Sequence, residues 1–265
     1  MYLVSCWNRY IRMKSPVSHN SFMSPAAFPL LVAVWLWTSV SLTWPRQSQA
    51  REWVGLAGTE MAEQGSAYAF AGAIVPFGTD AVLGQGWVQR YWLDWVEYRF
   101  DSEGEQVRAR APGFSASLGY QNSDGAGSWA AYAGAGYRDT DLTPDRQNAK
   151  VRDAQSSLLL LVETDRRFAE AWRFTGAVQY SAGPDSYWSR AKFLRKSSSA
   201  TFWLGMEIVF QGDPDYKAYK LGLVLDEWPV SSRVNLNFKL GAVKTKGLQT
   251  DAYAGIELVG VFGNK

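Results

Sequence analysis

The chain has 265 residues, with 27 Lys plus Arg against 25 Asp plus Glu, 13 each of Trp, Tyr and Phe, and 24 Gly. Its single cysteine, Cys6, and single histidine, His19, both lie in the first 50 residues, so a chain without that segment has no thiol nucleophile, disulfide, His-based triad or His/Cys metal site. Removing Arg9, Arg12, Lys14 and Arg46 takes the cations from 27 to 23 while all 25 acids stay, a net charge of about −2 that gives no footprint for nucleic acid.

Residues 1–50 read as a secretory signal peptide: cations at Arg9, Arg12 and Lys14, an apolar run from Ala26 to Trp44, then a processing tail from Pro45 to Ala50. Ser48 and Ala50 supply the small residues before the cleaved bond, so Arg51 becomes the mature N-terminus. The apolar run also has the length of an uncleaved membrane anchor, and the tail favours processing over that alternative. Residues 51–265 are then expected to form one outer-membrane β-barrel domain.

After Arg51 the sequence is rich in the residues that build strands, membrane girdles and tight turns. Period-two alternation places candidate strands near 52–59, 66–77, 86–100, 105–120, 128–138, 154–164, 171–182, 186–195, 200–211, 216–226, 232–244 and 251–262. The sharpest is Thr201 to Gln211, where Phe202, Leu204, Met206, Ile208 and Phe210 alternate with Trp203, Gly205 and Glu207. Arg233 to Val243 repeats the pattern, with Val234, Leu236, Phe238 and Leu240 against Asn235, Asn237 and Lys239. Runs of about ten residues with one apolar face match the tilted span of a transmembrane strand. A soluble sandwich also alternates, but with shorter strands and without aromatics such as Tyr219 and Trp228 at strand ends.

The joints carry turn chemistry at 122–127, Gly183-Pro184-Asp185, Gly212-Asp213-Pro214-Asp215 and Trp228-Pro229. Asp139 to Asp153, polar and containing Pro144, is expected to be an extracellular-type loop. Trp87 to Phe100 changes the parity of its apolar residues near Trp95, which predicts a β-bulge, and Ser157 to Val162 is apolar on both faces. The expected fold class is all-β: an antiparallel transmembrane β-barrel of about 12 strands.

With the apolar face toward lipid, the lumen receives Arg138, Trp188, Arg190, Lys192, Trp203, Glu207, Arg233, Asn235, Asn237, Lys239 and Glu257. Two readings of this set stand side by side. Arg and Glu can pair across a small plugged barrel simply to satisfy one another. Alternatively Trp188, Arg190, Trp203, Glu207, Asn235 and Asn237 form a glucan-binding surface, in which aromatic rings stack on sugar faces while amides and charges bond the hydroxyls. Trp87, Tyr91, Trp92 and Trp95 are expected to form an interfacial girdle. The carboxylates Asp94, Glu97, Glu207 and Glu257 could serve a glycosidase only at a spacing that sequence does not set. The loop acids Asp139, Asp141, Asp145 and Asp153 lack the glycine-centred spacing of a calcium loop. No catalytic residue, metal site or cofactor is expected.

At Tyr132 to Asn148 (YAGAGYRDTDLTPDRQN) and Tyr187 to Arg190 (YWSR) the chain resembles the cellulose biosynthesis protein BcsS family. AYAFAGAIVPFG from Ala67, VEYRF ending at Phe100, SLGYQ from Ser117 and GLQTDAYAGIEL from Gly247 agree more loosely and in the same order. The resemblance covers nearly all of the chain after residue 50. It implies an exported outer-membrane barrel tied to synthesis and secretion of an exopolysaccharide, with membrane lipid, a glucan chain and other cellulose-secretion components as partners. It carries no established catalytic residues. The expected function is a non-enzymatic accessory that binds or conducts the polysaccharide. Against it stand an outer-membrane enzyme acting on lipid or glycan through a Ser or carboxylate centre, and a general small pore.

Overall fold

A computed structural model describes residues 51–78, 81–102, 104–196 and 199–263; the signal-peptide expectation falls outside them. Twelve strands follow in order: β1 (Trp53–Ala62), β2 (Ala67–Pro76), β3 (Gly86–Ser102), β4 (Glu105–Ser123), β5 (Gly127–Thr143), β6 (Asp153–Ala169), β7 (Trp172–Ala182), β8 (Ser186–Arg195), β9 (Trp203–Gly212), β10 (Lys217–Pro229), β11 (Val234–Thr245) and β12 (Thr250–Phe262). Each pairs antiparallel with the next, and β1 pairs with β12 from Trp53↔Phe262 to Ala62↔Tyr253, so the sheet closes and has no free edge. Both ends of the described chain lie at one end of the barrel, called here the terminal end, opposite a distal end.

The alternation places side chains as expected. Leu204, Met206, Ile208, Phe210, Leu221, Leu223, Phe238, Leu240, Ile256 and Leu258 on β9–β12 are 38–58 % exposed on the outer wall. A continuous apolar surface of this kind is stable against lipid, not water. Rings close the band on both sides. Near the terminal end Trp87, Tyr120 and Trp129 follow one another at 5.6 and 6.1 Å, Phe202 stacks on Trp228, and Trp53 on Phe262. Near the distal end Phe114 meets Tyr137, and Phe210 meets Tyr219. This is the girdled band of a transmembrane β-barrel.

Three expectations change. The polar stretch from Asp139 is not all loop: β5 runs to Thr143 and β6 starts at Asp153, with Arg110↔Asp141 and Arg108↔Thr143 paired across β4. Strands β3–β6 are 17–19 residues long, against 10–13 for the others. Their distal ends stand above the apolar band, where a strand needs no apolar face. The bulge expected near Trp95 is absent, because β3 pairs with both β2 and β4 without a register shift. Trp87, Tyr91, Leu93 and Trp95 stay outside and Tyr98 and Phe100 inside, where they join a buried cluster. The apolarity of the lumen changes with height, not the parity of the strand. Finally, Trp92 is no girdle residue. It points inward, stacks on Phe70 and donates to Tyr68 Oη at 3.2 Å. In Ser157–Val162, Leu158, Leu160 and Val162 face outward while Leu159 and Leu161 are buried inside.

Candidate functional site

The lumen is built in tiers. Toward the terminal end an apolar cluster joins Val54, Ile74, Val88, Tyr132, Leu159, Leu161 and Val259 to Leu83 of the β2–β3 connection. That connection is tied in by Gly84 N donating to Gln121 Oε1 and Ser123 Oγ donating to Gly84 O. Beside it, Arg173 on β7 donates to Asp165 at 2.9 Å and to Glu227 at 2.9 Å, and its guanidinium lies 5.5 Å from the Trp203 ring. Lys192 Nζ lies 2.8 Å from both oxygens of Asp226.

A β-bulge explains how two consecutive acids both reach these cations. The β10–β11 register slips between Leu225 and Trp228, and Glu227 has φ 60°. A strand would turn Asp226 inward and Glu227 outward; the extra residue turns both inward. The backbone N–H exposed by the bulge is satisfied by Asn237 Oδ1 at 2.7 Å.

In the middle of the lumen Arg190 donates to Glu207 at 2.6 Å and to Glu257 at 3.2 Å, and Tyr253 Oη donates to Glu207 at 2.8 Å. Lys239 bridges Glu257 at 2.9 Å and Glu60 at 2.6 Å, and Lys220 also bonds Glu60. Gly222 makes room here, since a Cβ there would collide with Tyr253 Oη. Desolvated charges at this density are tolerated only when each is paired and hydrogen-bonded, and they are.

At the distal end the long β3–β4 hairpin reaches across the mouth. Tyr98 packs against Tyr216 with ring centroids 4.5 Å apart and planes tilted at 45°, and its hydroxyl approaches Asp213 at 3.4 Å, while Lys150 N and Val151 N donate to Asp215 at 2.7 and 2.8 Å. Tyr98, Phe100, Val107, Ala109, Tyr216, Ala218, Val243 and Tyr253 form the second apolar cluster. Burial raises the Asp213 carboxyl above its usual range, against the two backbone N–H bonds from Asp215 and Tyr216 that favour its charge.

Between these tiers lies a cavity of about 290 Å³, lined on one wall by Tyr68, Trp92, Arg90, Asp94, Arg138 and Gln155 and on the other by Gln179, Ser181, Trp188, Arg190 and Gln211. Its lining extends to Val151, Pro184 and Ser186 at the distal rim. Trp188 stands directly between two amides in the register, opposite Gln179 on β7 and Gln211 on β9. On the other wall the Arg90 guanidinium lies 4.1 Å from the Trp92 ring, and Arg138 pairs with Asp94.

Of the residues expected to form the site, Trp188 and Arg190 line this cavity, while Trp203, Glu207, Asn235 and Asn237 are buried in the wall and ion-pair layers. Arg233 is not lumenal: it sits exposed in the β10–β11 turn, and its guanidinium donates to Gly263 O. Sequence reasoning missed Arg90, Trp92, Gln179 and Gln211. The signal for the first two was the parity of β3, with Arg90, Trp92 and Asp94 one residue out of step with Trp87, Tyr91 and Trp95. The four carboxylates weighed for glycoside hydrolysis are each ion-paired, Asp94 to Arg138, Glu97 to Arg108 and Arg110, and Glu207 and Glu257 to Arg190. What the cavity offers chemically is a stacking face flanked by amide donors and acceptors.

Among solved structures, the chain is similar to the translocator domain of the autotransporter NalP from Neisseria meningitidis (10% identity, TM-score 0.45, covering 98% of this chain and 99% of that one). It is also similar to the β domain of the Bordetella autotransporter BrkA (11% identity, TM-score 0.44, 80% and 99% covered). A third likeness is to a mutant of the monoaromatic hydrocarbon channel TodX (6% identity, TM-score 0.47, 82% and 91% covered). Comparison with curated proteins gave no significant match. The model of the family "cellulose biosynthesis protein BcsS" matches residues 54–262, the whole barrel from the first strand to the last, and the chain belongs to that family.

Proposed function

We propose that this protein is exported by a cleaved signal peptide ending at Ala50, sits in the outer membrane of a Gram-negative bacterium, and supports cellulose biosynthesis by holding glucan at its distal end without catalysing a reaction. Family membership supports the link to cellulose, and the girdled apolar band supports the membrane placement. The observation that carries the binding reading is the cavity with Trp188 set between Gln179 and Gln211. A ring flanked by amides matches a sugar unit, whose axial C–H face stacks and whose equatorial hydroxyls bond sideways. Arg190 lies at the cavity floor as a donor and is held there by Glu207, while Trp203, Asn235 and Asn237 are buried in the wall. Conduction of a polymer is disfavoured by the same structure, because paired charges and the Leu83-containing cluster fill the terminal half of the lumen.

The test is fractionation of the tagged protein with heat-modifiability on gels, N-terminal sequencing, cellulose yield after deletion, and cello-oligosaccharide binding by the parent and the Trp188→Ala variant. A heat-shifted outer-membrane band starting at Arg51, reduced or mislocalised cellulose on deletion, and oligosaccharide binding lost with Trp188 are expected. Undiminished binding by the Trp188→Ala variant would refute the site, and a soluble, heat-insensitive protein would refute the membrane placement.

A further inference from the structure

Three cations stand together on the outer wall at the distal end. Lys217 opens β10, Lys244 lies near the end of β11, and Lys246 follows it; all three are exposed. They share the outward parity of Tyr219, Leu221 and Leu240. Lys246 N donates to Lys217 O at 2.9 Å, which sets these two opposite one another, and Lys244 pairs with Tyr219 on the next outward row. Like charges facing each other across a ladder are destabilising.

Among the described residues none of the three forms an ion pair. The acids of the adjoining turn point elsewhere, Asp213 to Tyr98 and Asp215 to the backbone of Lys150 and Val151. The Lys244 ammonium reaches only Leu248 O, at 2.6 Å. The contrast with the outer face of β3–β4 is direct, since Arg108 and Arg110 there share Glu97.

The height of the patch is set by its neighbours. Tyr219, edge-on to Phe210 at 5.7 Å, closes the apolar band, and the three ammonium groups lie beyond it on the distal side, with Leu221, Leu223 and Leu240 on the lipid side. Lysine stems at this level lie along the apolar wall and lift their charges into the headgroup layer. We propose that Lys217, Lys244 and Lys246 form a binding site for the phosphate groups of lipids in the distal leaflet, whose acyl chains lie against Leu221, Leu223 and Leu240. An anionic headgroup relieves the repulsion that the fold leaves unanswered, and the apolar face beneath favours a lipid over free phosphate.

This inference rests on the membrane placement proposed above and not on glucan binding. The full barrel is inserted in phosphatidylcholine vesicles containing a small fraction of bis-phosphorylated lipid A, insertion is checked by heat-modifiability, and lipid A retained on detergent extraction is counted. The Lys217→Gln/Lys244→Gln/Lys246→Gln variant is expected to insert normally and retain about tenfold less of this lipid, and a Lys150→Gln variant to retain as much as the parent. Dephosphorylated lipid A is expected to be retained weakly by both barrels, and inorganic phosphate not to displace the lipid. Equal retention by parent and triple variant, or by the two forms of lipid A, would overturn the proposal, and displacement by inorganic phosphate would reassign the site to the free anion. A parent chain that does not insert would overturn the membrane placement and this proposal together.

Discussion

Tyr98 on β3 and Tyr216 in the β9–β10 turn meet with ring centroids 4.5 Å apart and planes tilted at 45°, and so fasten the β3–β4 hairpin to that turn across the distal mouth. Both rings line the cavity at its distal side. In the Tyr98→Ala variant the hairpin loses both the ring contact and the hydroxyl that faces Asp213. A cysteine placed at Gln179 in the chain processed at Arg51, where it is the sole thiol, is expected to react with a maleimide several-fold faster in that background, roughly the effect of losing 1 kcal/mol of closure. Conductance in planar bilayers is expected to stay low, because the terminal half of the lumen is still filled.

Asp213 makes the same closure sensitive to pH. Its carboxyl is raised in the fold by burial, so its contribution to the folded turn is fully present below the unfolded value of about 3.9 and is lost as pH rises through the folded one. The Asp213→Asn variant keeps an acceptor for Asp215 N and Tyr216 N without the desolvated charge. Hydrogen exchange at Tyr216 N–H, compared with the parent at each pH, is expected to show the variant better protected at neutral pH and the difference vanishing in acid. A variant less protected at pH 7 would mean that charge, not hydrogen bonding, holds the turn.

Arg173 is fully buried between Asp165 and Glu227. Arg173→Met removes the buried cation to which Asp165 and Glu227 both bond and is expected to cost about 3–5 kcal/mol in urea unfolding from vesicles. Replacing all three with apolar residues of similar size is expected to recover most of that loss.

Asn237 serves the bulge. Asn237→Leu leaves Glu227 N without its acceptor inside the wall, and about 1–3 kcal/mol of destabilisation is expected. Cello-oligosaccharide binding per folded molecule is expected to be unchanged, which separates this wall residue from Trp188.

Leu223 lies in the middle of the outer band and is 57% exposed. Leu223→Arg is expected to destabilise the inserted barrel by about 2–4 kcal/mol, and Tyr219→Arg, at the rim, by about 1 kcal/mol or less. Equal penalties at the two positions would contradict the height assigned to the lipid band.

Period-two alternation is a local property, readable from one strand without its neighbours, and it determined most of the architecture here: twelve strands, their joints, and the outward face of Leu204–Phe210 and Phe238–Leu240. It also determined that Trp188, Arg190, Trp203, Glu207, Asn235 and Asn237 point inward. Partnership was decided only by closure of the sheet, because Arg190 and Glu257, or Lys220 and Glu60, are far apart in the chain and meet when β12 returns to β1. One inserted residue at Asp226–Glu227 reversed the local parity, which no count of alternation detects because both residues are acidic. The change in lumenal polarity along β3 concealed Trp92 for a related reason: alternation reports which side a residue faces, while the tertiary structure decides what waits there. The division of the inward set into a cavity-facing Trp188 and a wall-forming Asn237 therefore belongs to the packed barrel, where the bulge amide already occupies the Asn237 side-chain carbonyl.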